Sequence, residues 1–221
     1  MIEWNRDAAS VVQLLIVMFF FVVLVLKRKK LGPGIIYFII ASGLVMCIDT
    51  FLFFMRLAIP RFNSIPFYTI GVNLFVFLFF FLYFHHILIM KKSKKLNLIF
   101  ISLFLLSYLL FAIFSPNFFY RFPFTFYFVE LILLIFTIYL VLHETFNSDK
   151  ILNIKSYYPF WACIGLMSIY LGVTPLLIIS NTAMEVMNIN IFFIILFIVN
   201  AIGYSILIAG IFFAKNINQK K

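Results

Sequence analysis

The chain has 221 residues, of which 66% are hydrophobic and only 11% charged. Soluble domains carry about 45–50% apolar and about 25% charged residues, so this composition cannot furnish a water-facing surface and excludes an ordinary soluble protein. The formal charge of +10 lies in short clusters between apolar runs. It does not form the polar, aromatic-interleaved surface of a nucleic-acid module, and no nucleic acid is expected as a partner.

A membrane-spanning helix needs about 20 mostly apolar residues. Seven stretches meet that length in chain order: 9–26, 32–54, 68–90, 96–114, 122–144, 157–180 and 189–214. The fold class expected is all-α, a single bundle of seven transmembrane helices over 1–221 with no soluble domain. The alternating segments of about ten residues that mark membrane β-barrels are absent.

The first stretch is preceded by Glu3 and Asp7 and followed by Lys27, Arg28, Lys29 and Lys30. A signal peptide has its positive charge before the apolar run and a small-residue cleavage site after it, so this helix is expected to stay in the membrane. The same basic cluster starts an orientation pattern. Lys91, Lys92, Lys94, Lys95, Lys150, Lys155, Lys215, Lys220 and Lys221 fall on the same side as Lys27–Lys30, whereas Arg6, Arg56, Arg61 and Arg121 fall on the other. Cytoplasmic loops are enriched in Lys and Arg, so the N-terminus is expected outside and the C-terminus in the cytoplasm of a bacterial inner membrane. Tyr68, Tyr120 and Tyr127 near the outer level, and Tyr157, Tyr158 and Trp161 near the inner one, read as interfacial anchors. The connections are short, and the longest cytoplasmic one runs from about 145 to 156. That leaves no room for a kinase, nucleotide-binding or DNA-binding domain, so any signal is expected to pass through another protein.

Cys47 and Cys163 lie in different apolar runs, at depths that differ by about 13 Å at 1.5 Å per residue, too far for a disulfide. Both are expected to be small buried hydrophobes.

The polar residues inside the spans carry the functional expectations. Asp49, in the second helix, is a carboxylate at hydrocarbon depth. Such a group costs about 2.5–3.5 kcal/mol on insertion scales and usually faces the bundle interior with a partner. Ser42, Asp49 and Arg56 are spaced by seven and share one face. In the fifth helix Tyr127, Glu130, Thr137 and Glu144 share another. If the helices of Asp49 and Glu130 face one cavity, the two carboxylates form an acidic pocket rimmed by Arg56 and Arg121. Structural polar contacts are the plain alternative for each.

Pro175 interrupts the sixth helix, and with Gly172 before it a kink or hinge is expected there. Gly165, Ser168 and Gly172 form a small-residue stripe on that helix, as Asn200, Gly203 and Gly210 do on the seventh, and such stripes let helices approach closely. His85, His86, His143 and Glu144 sit near the cytoplasmic level and read as interfacial polar residues. No metal site, no cofactor and no catalytic motif is expected: there is no phosphate loop, no nucleophile elbow and no His-Glu-x-x-His.

Pro159-Phe160-Trp161, Gly165-Leu166, Tyr170 and Gly172, with Asn200 and Tyr204 in the last helix, resemble a family of small seven-helix membrane proteins of Bacteroidota over nearly the whole chain. The layout is also similar to the membrane part of bacterial seven-transmembrane signalling receptors. The resemblance implies a receptor-like or accessory subunit working with a sensor kinase or another membrane protein. On that reading Asp49, Arg56, Tyr127 and Glu130 sense a ligand in the outer half. Trp161, Gly165, Ser168, Gly172, Pro175, Asn200 and Gly203 serve packing or hinge motion. The alternative is a small transporter or channel with Asp49 and Glu130 as coupling carboxylates and Asn73 and Asn200 as further lining residues.

Overall fold

In hydrocarbon, every backbone N–H and C=O must be satisfied within the chain, which leaves helices as the economical solution for so apolar a sequence. The structure, a computed structural model, describes residues 6–59, 62–182 and 189–215, with side chains for 8–59, 62–179 and 191–215. Arg61, Lys220 and Lys221 of the charge pattern lie outside the described residues, as does the side chain of Arg6. Among the described residues, seven helices are long and apolar enough to cross a membrane. They are α1 (Arg6–Lys27), α2 (Ile35–Ala58), α3 (Ile65–Ile87), α4 (Lys91–Phe114), α5 (Phe124–Phe146), α6 (Tyr158–Thr182) and α7 (Ile189–Phe213). A short 3₁₀ helix, Asp149–Ser156, joins α5 to α6.

The helix ends follow local chemistry rather than the edges of the apolar runs. Helix α2 starts at Ile35 rather than 32, because Gly32 and Gly34 adopt positive φ values of 92° and 74° around Pro33. Gly34 is doubly constrained, since a Cβ there would sit 2.6 Å from the Cβ of His86. Helix α3 starts at Ile65, where Asn63 Oδ1 accepts the Ile65 N–H at 3.0 Å and Pro66 occupies the first turn. It stops at Ile87 rather than 90. The Ile89 and Met90 N–H groups, which open the turn into α4, donate to the Glu144 carboxylate at 2.8 and 3.1 Å. Helix α4 then takes Lys91–Lys95 into its first turns instead of starting at 96.

Helices α1, α2, α3, α5, α6 and α7 pack in that cyclic order, α7 returning against α1, while α4 lies outside the ring against α3 and α5. Two layers fill the bundle. Near the lysine-rich end Phe38 is the hub of an aromatic cluster. Its ring centroid lies 6.3 Å from Phe20, 5.4 Å from Phe80, 4.9 Å from Tyr83 and 6.0 Å from Tyr158. A second cluster, under α4 and the 115–123 connection, joins Phe104, Tyr108, Phe118 and Phe126. Between them Thr137 Oγ1 donates to Asn97 Oδ1 at 3.0 Å and Asn97 Nδ2 donates to the Phe81 carbonyl at 3.2 Å, tying α5, α4 and α3 together.

The tightest helix pair is α6 with α7, where glycines face side chains across the seam. A Cβ on Gly165 would lie 2.5 Å from Leu207, one on Gly172 2.5 Å from Val199, and one on Gly203 3.2 Å from the Gly165 carbonyl oxygen. Gly210 receives Trp161, whose ring stacks on Phe213 at 5.6 Å and whose Nε1–H donates to the Lys155 carbonyl at 3.0 Å. Ser168 is half-buried on the same helix. Helix α6 runs through Pro175 as one helix.

Some expectations need correction. Cys163 is buried, but Cys47 faces the exterior of the bundle, because α2 turns Phe38, Ala41, Ser42 and Leu52 inward. Tyr127 and Tyr158 lie near the ends of their helices but are buried in the interior, where packing and not a headgroup level fixes them.

Gly203→Leu should destabilise the bundle by about 1–3 kcal/mol through overpacking of the α6–α7 seam, seen as a lower unfolding midpoint in mild detergent, whereas Ser102→Leu on exposed α4 should change it little. Glu144→Ala, which strips two backbone donors of their acceptor, should cost about 1–3 kcal/mol in the same assay.

Candidate functional site

The ring of six helices encloses a cavity of about 540 Å³, within the range of about 300–1,000 Å³ typical of ligand sites. Helix α2 contributes Phe38, Ser42, Val45, Asp49 and Arg56, steps of four, three, four and seven residues that keep them on one face. Helix α1 adds Gln13, Val17 and Phe20 at the same kind of spacing. From α6 come Leu166, Ile169, Tyr170 and Val173, and from α7 Phe193, Leu196, Asn200, Tyr204 and Leu207.

Helix α3 shapes the wall differently. Tyr68–Val76 is π-helical, nine residues long. Bonding from residue i to i+5 widens the turn, so residues five apart move towards one side, and such segments are frequent at functional sites. Tyr68 and Asn73 both line the cavity as a result. Within the segment Gly71 lies directly against Ile48 of α2, where a Cβ would collide with the isoleucine tip.

Polarity in the cavity is concentrated at the end away from the lysine clusters. Tyr68 Oη donates to Asp49 Oδ1 at 3.2 Å. Arg56 Nη2 donates to Ser64 Oγ at 3.1 Å. Asn200 Nδ2 donates to the Leu196 carbonyl of its own helix at 3.0 Å. Asn73 is only 3% exposed, and its side-chain nitrogen has no hydrogen-bond partner among the described residues. Thr69 Oγ1, on the same π segment, is also unpartnered. Towards the lysine-rich end the polarity fades: the floor is Phe38, Phe80, Leu166 and Leu207, and beneath it lie the fully buried Tyr83, Phe84 and Tyr158.

Of the four residues singled out as a sensing site, Asp49, Arg56 and Tyr127 line this cavity and Glu130 does not. Glu130 is 0% exposed, and neither carboxyl oxygen has a hydrogen-bond partner among the described residues. The common acidic pocket is therefore not formed. The face of α5 drawn from the sequence is the buried one, but its members serve different neighbours. Tyr127 Oη donates to the Tyr170 carbonyl at 3.3 Å, on α6. Thr137 reaches α4, and Glu144 caps the α3–α4 turn. Asn73 and Asn200, weighed as lining residues, do line the cavity.

At the opposite end the histidines do not converge. The His86 ring lies 4.9 Å from Tyr37, and His143 lies 5.9 Å from Tyr139. Among the described residues no three His, Cys, Asp or Glu side chains are placed to hold a metal ion. In the 3₁₀ connection Lys150 Nζ donates to Tyr157 Oη at 3.2 Å and lies 4.9 Å from its ring centroid. Burial of this lysine lowers its pKa, and the nearby Glu144 opposes that shift.

Gln13 carries no signal in the sequence pattern, Tyr204 enters there only through the family resemblance, and Tyr68 reads there as an interfacial anchor. The signal for Tyr68 was its five-residue spacing to Asn73, which only a π turn places on one side. Comparison with family models, curated proteins and solved structures gives no match.

Glu130→Met, which replaces an unsatisfied buried carboxyl by an apolar chain of similar length, should leave stability unchanged or raise it by about 1–3 kcal/mol. Equilibrium unfolding in detergent, beside Tyr127→Phe, which should lose about 0.5–1.5 kcal/mol, measures the contrast.

Proposed function

We propose that this protein is a receptor-like or accessory subunit of a bacterial signalling system, set in the inner membrane with its N-terminus outside. It binds a ligand in the cavity around Asp49 and acts through a partner such as a sensor kinase or another membrane protein. The observation that carries this reading is the shape of the cavity, polar at one end and stopped at the other by the Phe38 cluster. A receptor needs a site that holds a ligand and ends there. A pore or carrier needs polar groups that continue across, and Phe38, Phe80, Tyr83 and Tyr158 fill that route with packed rings. The excess of Lys and Arg at the closed end supports an orientation with the polar half outside.

Tyr127 connects this site to a deformable element. Tyr127 lines the cavity and its hydroxyl donates to the Tyr170 carbonyl, which also accepts Thr174 Oγ1 at 2.6 Å. Pro175, the next residue, cannot donate to the Leu171 carbonyl, so this turn of α6 lacks one helical bond. A ligand that moves Tyr127 thereby bears on the weakest turn of α6, whose far end meets the 3₁₀ connection through Trp161.

Purification from the native membrane in mild detergent should recover a kinase, regulator or membrane partner with the chain, and Asp49→Asn should alter the partner's output without loss of assembly. Recovery of the chain alone, with solute flux in proteoliposomes that Asp49→Asn abolishes, would overturn the proposal in favour of transport. Impermeant thiol labelling of single cysteines in a Cys47→Ala background checks the orientation: at the exposed positions Asn117 and Lys92, Asn117→Cys should label from outside intact cells, and Lys92→Cys only after permeabilisation.

A further inference from the structure

The polar end of the cavity is electrically compensated. Tyr68 donates to Asp49 Oδ1. The Arg56 guanidinium, which bonds Ser64, also acts on both Asp49 and Tyr68. One carboxylate and one guanidinium thus answer each other across Tyr68. A ligand charge of either sign would meet a like charge there as well as an opposite one, after giving up its hydration. This end favours an uncharged molecule.

Several polar side chains of the wall already have partners. Ser42 Oγ donates to the Phe38 carbonyl at 2.8 Å, Asn200 Nδ2 to the Leu196 carbonyl and Tyr127 Oη to the Tyr170 carbonyl. Asn73 differs. It lines the cavity, is 3% exposed, and its side-chain nitrogen has no partner among the described residues. A carboxamide carries a donor and an acceptor side by side. The group that answers it completely presents the same two in reverse, a C=O beside an N–H on one edge, as a cyclic amide does. A lone carbonyl answers half of it and a hydrocarbon none.

The wall on the lysine side of Asn73 is an arc of rings. Their centroids follow one another at 5.4 Å (Tyr204–Phe20), 6.3 Å (Phe20–Phe38), 5.4 Å (Phe38–Phe80), 6.3 Å (Phe80–Tyr170) and 4.8 Å (Tyr170–Phe77). All six side chains line the cavity, and they come from five of the helices around it. Phe77 stands one turn from Asn73 on α3. Aromatic faces and edges at these distances suit a flat unsaturated ring. We infer that the cavity takes an uncharged planar ring compound with a cyclic-amide edge, the edge paired with the Asn73 carboxamide and the ring lying against Phe77, Phe80 and Tyr170. The inference rests on the cavity being the ligand site of the proposed receptor and adds the chemistry of the ligand.

The probe is tritiated carbostyril, a bicyclic cyclic amide, equilibrated by dialysis against the full chain in nanodiscs, with uptake by empty nanodiscs subtracted. Binding should saturate. N-methylcarbostyril, whose methyl group blocks the N–H, should compete about fivefold more weakly, the scale of one net hydrogen bond. Naphthalene, which has no polar edge, should compete more weakly still, and quinaldate, which brings a charge to the same ring system, should not compete. Asn73→Leu should weaken carbostyril binding and erase its advantage over N-methylcarbostyril. Val45→Trp, which fills the cavity from α2, should abolish saturable uptake. An unchanged unfolding midpoint shows which variants remain folded.

The competitors are compared on the wild-type chain, so that comparison decides even where a variant fails to fold. Saturable binding with the expected order of competitors supports the inference, and loss of the N-methyl penalty in Asn73→Leu assigns the contact. Absence of saturable binding, equal competition by N-methylcarbostyril or quinaldate, a penalty that persists in folded Asn73→Leu, or undiminished uptake by folded Val45→Trp would overturn it. Because partner capture is measured separately, those results would leave the receptor reading standing. Binding of carbostyril by a chain that captures no partner would remove the receptor reading and leave the site.

Discussion

The need to satisfy the backbone inside hydrocarbon governs everything else in this molecule. With 66% hydrophobic residues, the peptide groups are the chief polar groups of the chain, and seven helices dispose of nearly all of them internally. What remains is settled at the ends by specific groups. The Glu144 carboxylate collects the N–H groups of Ile89 and Met90, Asn63 takes that of Ile65, and the Lys155 carbonyl receives Trp161 Nε1. Side chains that looked functional because they were polar in an apolar chain are partly accounted for by this service. Glu144 is the clearest case, since two main-chain donors and the start of α4 depend on it.

Helix packing then decides which polar residues remain available. The glycine seam brings α6 and α7 close, α7 closes the ring on α1, and the space inside is divided by the rings around Phe38. On the lysine-rich side of that cluster the buried rings of Tyr83, Phe84 and Tyr158 occupy the interior. On the other it is open, and the π-helical stretch of α3 turns Tyr68 and Asn73 into the opening. A regular α-helix would not set residues five apart on one side. The widened turn thus builds one wall of the site, with Gly71 allowing α2 to pass close behind it.

The number of helices and their approximate spans could be read directly, because length and apolarity alone set them. So could the α2 stripe of Ser42, Asp49 and Arg56, since a seven-residue spacing survives in any straight helix. The glycines of α6 and α7 were legible as packing surfaces for the same reason. Glu130 was not: periodicity placed it on the buried face of α5, but which neighbour that face meets is a tertiary fact. Asp49 lines the cavity and Glu130 does not. Tyr68 was hidden because its role depends on a change of helical pitch that propensity does not encode, and Tyr127 and Tyr158 because burial in the interior replaced the headgroup level their rings would otherwise prefer.

Two features of α6 bear on how occupancy could be felt elsewhere. The missing N–H of Pro175 removes one bond from the helix, which by itself invites bending. Yet the adjoining Tyr170 carbonyl accepts both Thr174 Oγ1 and Tyr127 Oη, so the turn is braced from its own helix and from α5. The brace from α5 is made by a residue that also lines the cavity. A bound molecule that draws on the Tyr127 hydroxyl must weaken that brace, whereas one that merely packs against the ring leaves it in place. The cavity and the proline turn are therefore joined by the Tyr127 hydroxyl as well as by Ile169, Tyr170 and Val173, which line the cavity themselves, and the glycine contacts with α7 set how far α6 can follow before the seam is disturbed.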